Sequence, residues 1–228
     1  MRRISKVAVL GSGVMGSGIA CHFANIGLQV LMLDILPRDM KEGETNPAIR
    51  NQVADSALKT ALKSKPAPLY NTEFASRITT GNFDDDMAKI KDCDWIIEVV
   101  IERLDIKKLI FEKVDANRTP GTLVSSNTSG IPIHLMLDGR SDDFQKHFCG
   151  THFFNPPRYL RLLEIIPTPK TEQSVIDFFM EYGDVYLGKK TVLCKDTPGF
   201  IANRVGVFSM AKIYQLTDEL GLSLDEAD

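Results

Sequence analysis

The segment Lys6–Asp34, KVAVLGSGVMGSGIACHFANIGLQVLMLD, decides the fold of this chain. A short apolar run at Val7–Leu10 is typical of a buried parallel strand, and it leads into a GxGxxG pattern at Gly11–Gly16. An apolar helix and a second apolar run follow, and that run ends on Asp34. A strand, a glycine loop, a helix and a strand in this order predict a dinucleotide-binding unit of a parallel sheet.

Each glycine of the pattern has a physical role if a dinucleotide binds here. Gly11 permits the tight turn, Gly13 lets the backbone approach a pyrophosphate, and Gly16 lets the helix pack closely on the strand. The first helical turn, which contains Val14 and Met15, offers unpaired N–H groups and a partial positive charge to that pyrophosphate. We expect these five residues to contact the cofactor. An ordinary strand–turn–helix corner is the alternative.

Asp34 is the residue that bears on whether NAD or NADP binds. It follows Gly16 at close to the spacing of about 20 residues that is expected for the carboxylate that binds the adenosine ribose diol. A carboxylate at this place would repel a 2′-phosphate, so the sequence predicts NAD rather than NADP. Arg38 lies near enough in the sequence to leave NADP as an alternative.

Composition excludes several classes of partner. The net charge of −3 over 228 residues gives no electrostatic reason to expect nucleic acid or an anionic membrane. No apolar run approaches the roughly 20 residues that span a bilayer, and the N-terminus enters the first strand without the pattern of a signal peptide. The cysteines have no CxxC spacing, so we expect free buried thiols in a reducing cytoplasm and no metal site. They are Cys21, Cys93, Cys149 and Cys194.

Strand and helix patterns alternate along the chain and predict a doubly wound, mostly parallel α/β sheet of the Rossmann type. Further strands are predicted at Arg77–Gly81, Asp94–Val100, Leu123–Ser126, Phe148–Phe154 and within Val185–Val192. Helices are predicted at Ala48–Lys65, Ile106–Val114, Ile133–Leu137 and Glu172–Tyr182. The acidic run Asp84–Asp86 is expected to cap the helix that follows it rather than to bind a metal.

The end of the chain has the pattern of a second domain. We expect residues 1–195 to form the dinucleotide-binding domain and residues 196–228 to begin an all-helical domain. A long helical pattern opens at Thr197-Pro198-Gly199, and Ser223–Glu226 is typical of the cap of another helix. Because this last helix starts and does not continue, we expect the chain to be a truncated part of a longer protein.

Polar residues at predicted strand ends are the candidates for chemistry, because a doubly wound sheet binds its ligands at the carboxyl ends of its strands. His152 lies near the carboxyl end of the predicted strand Phe148–Phe154, and Glu164 stands alone in the apolar run LLEII. A carboxylate in such a run is costly to bury unless it is paired, which predicts a His152–Glu164 pair. Histidine suits a general base, and a carboxylate can fix its tautomer. A structural histidine is the alternative.

Five motifs, in order over nearly the whole chain, resemble the L-3-hydroxyacyl-CoA dehydrogenases of fatty-acid β-oxidation. They are GSGVMGSGIA, SSNTSG, GTHFFNPP, LLEII and KDTPGFIANR. The resemblance implies an enzyme that uses NAD to oxidise (S)-3-hydroxyacyl-CoA to 3-ketoacyl-CoA. It also implies an acyl-CoA substrate and a full-length protein that is either a homodimer or part of a multifunctional β-oxidation polypeptide.

The same resemblance implies roles for single residues. His152 would be the general base and Glu164 its orienting partner, while Ser129 and Asn203 would hold the substrate oxygen. The further residues expected at or beside the cofactor are Glu102, Lys107, Asn127 and Asn155. Turn hydrogen bonds are the alternative role for Ser129 and Asn127, and capping or bridging of helices is the alternative for Asn203.

One segment departs from the family pattern. Leu36–Phe74 does not match the usual lysine-bearing helical hairpin that helps to hold coenzyme A, although Lys59, Lys63 and Lys65 are candidates for those contacts. Two rival functions remain open from the sequence. One is an NAD-linked 3-hydroxyacid oxidoreductase that does not use coenzyme A, and the other is a non-catalytic NAD-binding protein.

Overall fold

The computed structural model describes residues 2–227, whose strands form one eight-stranded sheet. The strands are β1 (Lys6–Leu10), β2 (Gln29–Asp34), β3 (Ile78–Asn82), β4 (Trp95–Glu98), β5 (Leu123–Ser126), β6 (Phe148–Phe153), β7 (Leu162–Pro167) and β8 (Lys190–Leu193). The α-helices are α1 (Val14–Asn25), α2 (Pro47–Arg50), α3 (Gln52–Leu62), α4 (Leu104–Asn117), α5 (Asp142–Lys146), α6 (Gln173–Val185), α7 (Ala202–Glu219) and α8 (Leu224–Ala227). Short 3₁₀ helices cover Thr72–Arg77, Met87–Asp92 and Ile133–Met136.

The strand order confirms the doubly wound α/β fold. The strands run β3-β2-β1-β4-β5-β6-β7-β8 across the sheet. Every neighbouring pair is parallel except β6 and β7, which are antiparallel. The order reverses between β1 and β4, and the carboxyl ends of strands at such a reversal form the crevice in which ligands bind.

Two apolar cores lie on the two faces of the sheet. Alternate residues of β1 point to opposite faces, so Val7 and Val9 join one core while Ala8 and Leu10 join the other. The first core packs α1 and α6 on the sheet, with the ring of Trp95 at its centre. The second core packs α4 and the aromatic side chains around α5 on the sheet. Helices on both faces explain why the central strands are apolar throughout.

The acidic run at residues 84–86 differs from the prediction. No side chain among the described residues caps the 3₁₀ helix that follows. Asp86 instead accepts a hydrogen bond from the N–H of Asn82 at 2.9 Å, and Asp85 pairs with Arg50 at 2.5 Å. The capping prediction was wrong because these carboxylates find partners in α2 and at the end of β3.

The C-terminal helices α7 and α8 follow the last strand of the sheet. α7 exposes a series of large apolar side chains: Val205, Val207, Phe208, Met210, Ile213 and Tyr214. The predicted cap before α8 is present, since Ser223 N–H donates to Glu226 at 2.9 Å and Glu226 N–H donates to the Ser223 hydroxyl at 3.3 Å. Within residues 2–227, no helix has the length and apolar character needed to cross a membrane.

The structure confirms the predicted free and buried state of the cysteines. All four thiols are free and buried. Burial raises the pKa of the thiols of Cys21 and Cys93 to about 12. These thiols therefore stay protonated at neutral pH.

Candidate active site

The loop after β1 leaves no room for side chains at two of its glycines. Gly11 has a φ of 107°, and a Cβ there would lie 2.6 Å from the carbonyl oxygen of Val99. A Cβ at Gly16 would lie 1.9 Å from the carbonyl oxygen of Gly11. By contrast, a Cβ at Gly13 would meet no described atom within 4 Å. The glycines thus form a turn that packs tightly against the sheet and opens on one side to a ligand.

The first turn of α1 continues this open side. The helix begins at Val14, and none of the side chains in residues 2–227 caps it. Its first N–H groups and the positive end of its dipole therefore face the loop opening. Val14 is 74% exposed and Met15 is half-buried beside it. The open glycine and the uncapped helix fit the pyrophosphate of a dinucleotide.

Asp34 lies at the end of β2, beside the same loop. Its Oδ2 accepts hydrogen bonds from the N–H of Ser12 at 2.6 Å and from the Ser12 hydroxyl at 2.5 Å. Its Oδ1 accepts the N–H of Ile35 at 2.7 Å. These donors fix the carboxylate next to the glycine turn and leave it partly exposed, as contact with a ribose diol requires. The loop, the helix terminus and Asp34 together fit NAD.

His152 and Glu164 face each other across β6 and β7, because the antiparallel register places them directly opposite. The Nδ1 atom of His152 lies 2.8 Å from Oε2 of Glu164. The side chains are buried, with 5% of His152 and none of Glu164 exposed. Since a carboxylate accepts, Nδ1 is assigned the proton and Nε2 becomes the acceptor nitrogen. This is the arrangement of a general base and the carboxylate that orients it.

The second oxygen of Glu164 anchors the start of α7. Oε1 accepts the N–H groups of Ile201 at 3.1 Å and of Ala202 at 2.8 Å. Burial acts to raise the pKa of Glu164, but the hydrogen bonds from His152 and these two N–H groups hold that pKa below its ordinary value of 4.5. Glu164 is therefore ionised at neutral pH and links the orientation of His152 to the position of α7.

Two aromatic rings enclose His152. Its ring centroid lies 4.4 Å from that of Phe154 and 5.6 Å from that of Phe200. Phe200 is buried and has a φ of 46°, a left-handed conformation that is uncommon for a bulky residue. Such a conformation costs roughly 1–3 kcal/mol and persists where the surrounding contacts enforce it. The turn before α7 thus holds the Phe200 ring against the imidazole of His152.

The segment Ser126–Gly130, called here the Ser129 loop, begins with the last residue of β5, at the same edge of the sheet. The Ser129 N–H donates to Oε1 of Glu102 at 2.9 Å, and the Ser129 carbonyl oxygen accepts the side-chain amide of Asn203 at 3.4 Å. The side chain of Ser129 is exposed. The structure therefore brings Ser129, Asn203 and Glu102 together, and the roles assigned to them stay predictions.

Asn127 and Asn155 lie on either side of the end of β6. The Oδ1 atom of Asn127 accepts the N–H of Phe153 at 2.8 Å, which ties the Ser129 loop to the residue after His152. Asn155 is exposed and lines a cavity of about 480 Å³. The cavity walls are the glycine loop, one face of α3, residues 64–68 and residues 155–159. Asn155 is thus close to the predicted cofactor site.

A buried charge cluster supports the Ser129 loop. Lys107 and Glu98 have 1% and 0% of their side chains exposed, and Lys107 Nζ lies 2.7 Å from Glu98 Oε1. Glu102 Oε2 lies 3.3 Å from the same Nζ. Burial raises the pKa of Glu98, and the charge of Lys107 offsets part of that rise. The Lys107 ammonium is directed at these two carboxylates. Contact of Lys107 and of Glu102 with the cofactor stays a prediction.

Sequence analysis overlooked Glu98, although the signal that identified Glu164 was present. Both are single carboxylates within apolar runs, LLEII for Glu164 and DWIIEVV for Glu98. The second run lies within the predicted strand Asp94–Val100, and its single carboxylate was not examined for a partner. A buried carboxylate needs a partner in either case.

A second buried cation holds a wall of the cavity. Lys189 is 3% exposed, and its Nζ donates to the carbonyl oxygens of Pro157 and of Leu160, the latter at 2.8 Å. Burial lowers the pKa of Lys189 from 10.5 to about 8. Between pH 8 and 10.5 the unfolded chain therefore binds one more proton at this residue than the folded chain does, so this residue makes the fold more stable as the pH rises.

We expect Lys189→Met to remove that pH dependence. The free energy of unfolding of the unsubstituted protein, minus that of the variant, should increase as the pH rises from about 8 to about 10. Urea denaturation at several pH values measures the difference. Lys190→Met is the matched control, because Lys190 is exposed. A difference between the protein and the Lys189 variant that stays constant over this pH range would contradict the prediction.

A family model and two similar bacterial proteins carry the same family name. The family model described as "3-hydroxyacyl-CoA dehydrogenase, NAD binding domain" matches residues 6–197. A probable 3-hydroxyacyl-CoA dehydrogenase of Bacillus subtilis is 51% identical over 234 residues, which cover 100% of this chain and 30% of the relative. A probable 3-hydroxyacyl-CoA dehydrogenase of Deinococcus radiodurans is 46% identical over 226 residues, which cover 99% of this chain and 63% of the relative.

A solved structure agrees with these relatives. The crystal structure of 3-hydroxybutyryl-CoA dehydrogenase from Escherichia coli K12 has a TM-score of 0.75 and 28% identity, and the match covers 96% of this chain and 44% of that one. The chain thus spans less than two thirds of the length of the curated relatives described above. The match over residues 6–197 contains the glycine turn that fits NAD, and NAD is the cofactor of this domain. The chain belongs to the 3-hydroxyacyl-CoA dehydrogenase family.

Proposed function

We propose that the protein containing this chain oxidises (S)-3-hydroxyacyl-CoA to 3-ketoacyl-CoA with NAD, as a step of fatty-acid β-oxidation. The observation that carries the proposal is the buried His152–Glu164 pair, with its 2.8 Å contact, in a sheet that also presents an NAD-binding glycine turn. The two similar bacterial proteins, each named a probable 3-hydroxyacyl-CoA dehydrogenase, support the same substrate class.

The proposed mechanism assigns the proton to His152. Bound NAD supplies a hydride acceptor for C3 of the substrate. The Nε2 atom of His152 accepts the proton of the 3-hydroxyl, and Glu164 stabilises the imidazolium through Nδ1. Ser129 and Asn203 donate to the substrate oxygen and align C3. General-base catalysis of this kind contributes about 10²–10⁴ in rate.

The residues that would hold NAD follow from the site geometry and the family resemblance. Gly13 and the first turn of α1 would face the pyrophosphate, Gly11 and Gly16 would form the tight turn that lets it approach, and Asp34 would bind the ribose. The remaining proposed contacts are Val14, Met15, Glu102, Lys107, Asn127 and Asn155.

Coenzyme A would occupy the cavity between α3 and residues 155–159. Lys65 lines this cavity, and Lys59 and Lys63 lie exposed on or next to α3. We propose that these three lysines contact the phosphate groups of the substrate, since cations near such a cavity attract anions. They would replace the lysines of the hairpin that the family usually has.

We also propose the division into domains. Residues 1–195 would form the NAD-binding domain, because the sheet ends with β8 at Leu193. Residues 196–228 would begin a helical domain whose remainder covers the apolar side chains of α7. The whole protein would be a homodimer or part of a multifunctional polypeptide, and the 30% coverage of the Bacillus relative supports a longer protein. Free buried thiols support a cytoplasmic location.

An NADH-oxidation assay tests the proposed reaction. The protein that contains this chain is supplied with acetoacetyl-CoA and, separately, with free acetoacetate. We expect oxidation with the thioester to be at least about 10-fold faster, since a binding difference of 1.4 kcal/mol already gives a factor of ten. NADPH in place of NADH is the control for cofactor choice. Equal rates with free acetoacetate would favour an oxidoreductase that does not use coenzyme A, and no oxidation with short- or long-chain 3-ketoacyl-CoAs would favour a non-catalytic protein.

A further inference from the structure

We propose that Glu98 is a positioning residue that holds the Ser129 loop in place for the reaction, an inference that rests on the proposed function. Glu98 lies at the end of β4, fully buried and bonded to Lys107. Charged pairs are costly to bury, and an apolar pair of similar volume is often as stable. The burial of this pair next to the loop therefore points to a task other than stability.

The Lys107 ammonium joins two carboxylates. Its Nζ donates to Glu98 Oε1 at 2.7 Å and to the carbonyl oxygen of Val100 at 3.3 Å, and it lies 3.3 Å from Glu102 Oε2. An ammonium has three N–H donors, so these contacts account for all of them. Loss of either carboxylate would change where the ammonium is held.

Each of the two carboxylates holds a different part of the Ser129 loop. Glu98 accepts the Ser126 hydroxyl at 2.5 Å, and its backbone carbonyl oxygen accepts the N–H of Asn127 at 2.8 Å. Glu102 accepts the Thr128 hydroxyl and the N–H groups of Ser129 at 2.9 Å and of Gly130 at 3.1 Å. The two carboxylates that Lys107 joins thus accept hydrogen bonds from Ser126, Thr128, Ser129 and Gly130, and the backbone of Glu98 holds the remaining loop residue, Asn127.

The loop in turn positions groups at the proposed reaction centre. Asn127 accepts the N–H of Phe153, the residue after His152, and the Ser129 carbonyl oxygen accepts the side-chain amide of Asn203. A shift of the loop would move Ser129 and Asn203 relative to His152. A misplacement of about 1 Å can cost about 10² in rate. Glu98 acts through the loop and contacts neither reactant.

Two substitutions separate this role from general stability. Glu98→Gln keeps the shape of the side chain and removes its charge, so the Lys107 ammonium is expected to draw the Glu102 carboxylate away from the N–H groups of Ser129 and Gly130. Ser126→Ala removes the hydrogen bond to Glu98 and the acceptor of the Thr128 N–H without changing any charge, so the exchange at residues 127, 129 and 130 reports the loss of the Glu98 contact. It keeps the proposal testable if the first variant does not fold. Glu112→Gln is the matched control, because Glu112 is exposed on α4, the helix that carries Lys107.

Hydrogen exchange followed by mass spectrometry, together with steady-state kinetics, tests the proposal. We expect faster exchange of the N–H groups of residues 127–130 in both variants, with the exchange of β1 unchanged. We also expect kcat to fall about 10- to 10²-fold in Glu98→Gln with KM for the acyl-CoA nearly unchanged, which is the signature of lost transition-state alignment. The Glu112 control should match the unsubstituted protein in both measurements.

The outcomes that overturn the proposal are distinct from failure of the proposed function. Unchanged exchange in the Ser129 loop, or a kcat for both variants within about twofold of the unsubstituted protein, would overturn it. Faster exchange in all segments, β1 included, would show a general loss of stability and would also overturn it. If the unsubstituted protein does not oxidise NADH with any 3-ketoacyl-CoA, the proposed function fails, while the exchange of the loop still reports whether Glu98 holds it.

Discussion

Replacement of His152 by alanine is expected to lower kcat for 3-hydroxyacyl-CoA oxidation by at least about 10², because the variant loses its general base. The affinity for NAD should stay nearly unchanged, since His152 lies on β6 while the glycine turn follows β1. Steady-state kinetics give kcat, and titration of NADH fluorescence gives the dissociation constant. The variant leaves Glu164 bonded to the N–H groups of Ile201 and Ala202, which keeps the start of α7 in place.

His134→Ala is the control for loss of an imidazole. His134 is 52% exposed in its side chain and pairs with Asp196, away from Glu164. We expect kcat of this variant to match that of the unsubstituted protein. Normal turnover in the His152 variant would assign this residue a structural role and would remove the basis of the proposed mechanism.

Replacement of Gly16 by alanine should have the largest effect on cofactor binding. The new Cβ would lie 1.9 Å from the backbone oxygen of Gly11, and neither α1 nor the glycine turn can absorb that contact without moving. Overpacking of this kind costs about 1–3 kcal/mol in the free energy of unfolding. We expect the affinity for NADH to fall by about 10² or more, because a shift of 1 Å displaces the pyrophosphate site. Urea denaturation and NADH titration measure the two effects.

Gly13→Ala is the matched variant for that prediction. A Cβ at this position meets no atom of residues 2–227 within 4 Å, so we expect stability to change by less than about 0.5 kcal/mol. The methyl group would occupy the side from which the pyrophosphate approaches, so NADH should bind more weakly. Gly206→Ala in α7, where a Cβ also meets no described atom, controls for glycine replacement as such. Unchanged NADH affinity in the Gly16 variant would contradict the assigned cofactor site.

The sequence was sufficient to predict most of the fold because the signals are local. Apolar runs, the glycine loop and the spacing to Asp34 predicted the parallel sheet and its crevice. The direction of β7 carried no local signal, since a run such as LLEII is equally apolar in a parallel or an antiparallel strand. The antiparallel register of β6 and β7 is nevertheless what places Glu164 opposite His152. The pair was predicted from the cost of burying a lone carboxylate, without knowledge of that register.

The burial of Lys107 and its pairing with Glu98 could not be predicted from the sequence. Lys107 lies on an amphipathic helix, and the family resemblance predicted it at or beside the cofactor rather than in a buried ion pair. Its burial depends on Glu98, which lies in a different element and is recognised only when the sheet is assembled. The left-handed turn at Phe200 is a similar case. Its conformation depends on contacts with His152 and the start of α7 rather than on the residue type.

Transfer of deuterium from C3 of the substrate to NAD tests the proposed hydride transfer most directly. The protein that contains this chain is given NAD and an (S)-3-hydroxyacyl-CoA that carries deuterium at C3, and the NADH formed is examined by mass spectrometry. The proposed function predicts that NADH carries the deuterium and that the His152→Ala variant forms it at least about 10² more slowly. NADH without deuterium, or no NADH from the unsubstituted protein, would contradict the assignment of hydride transfer from C3.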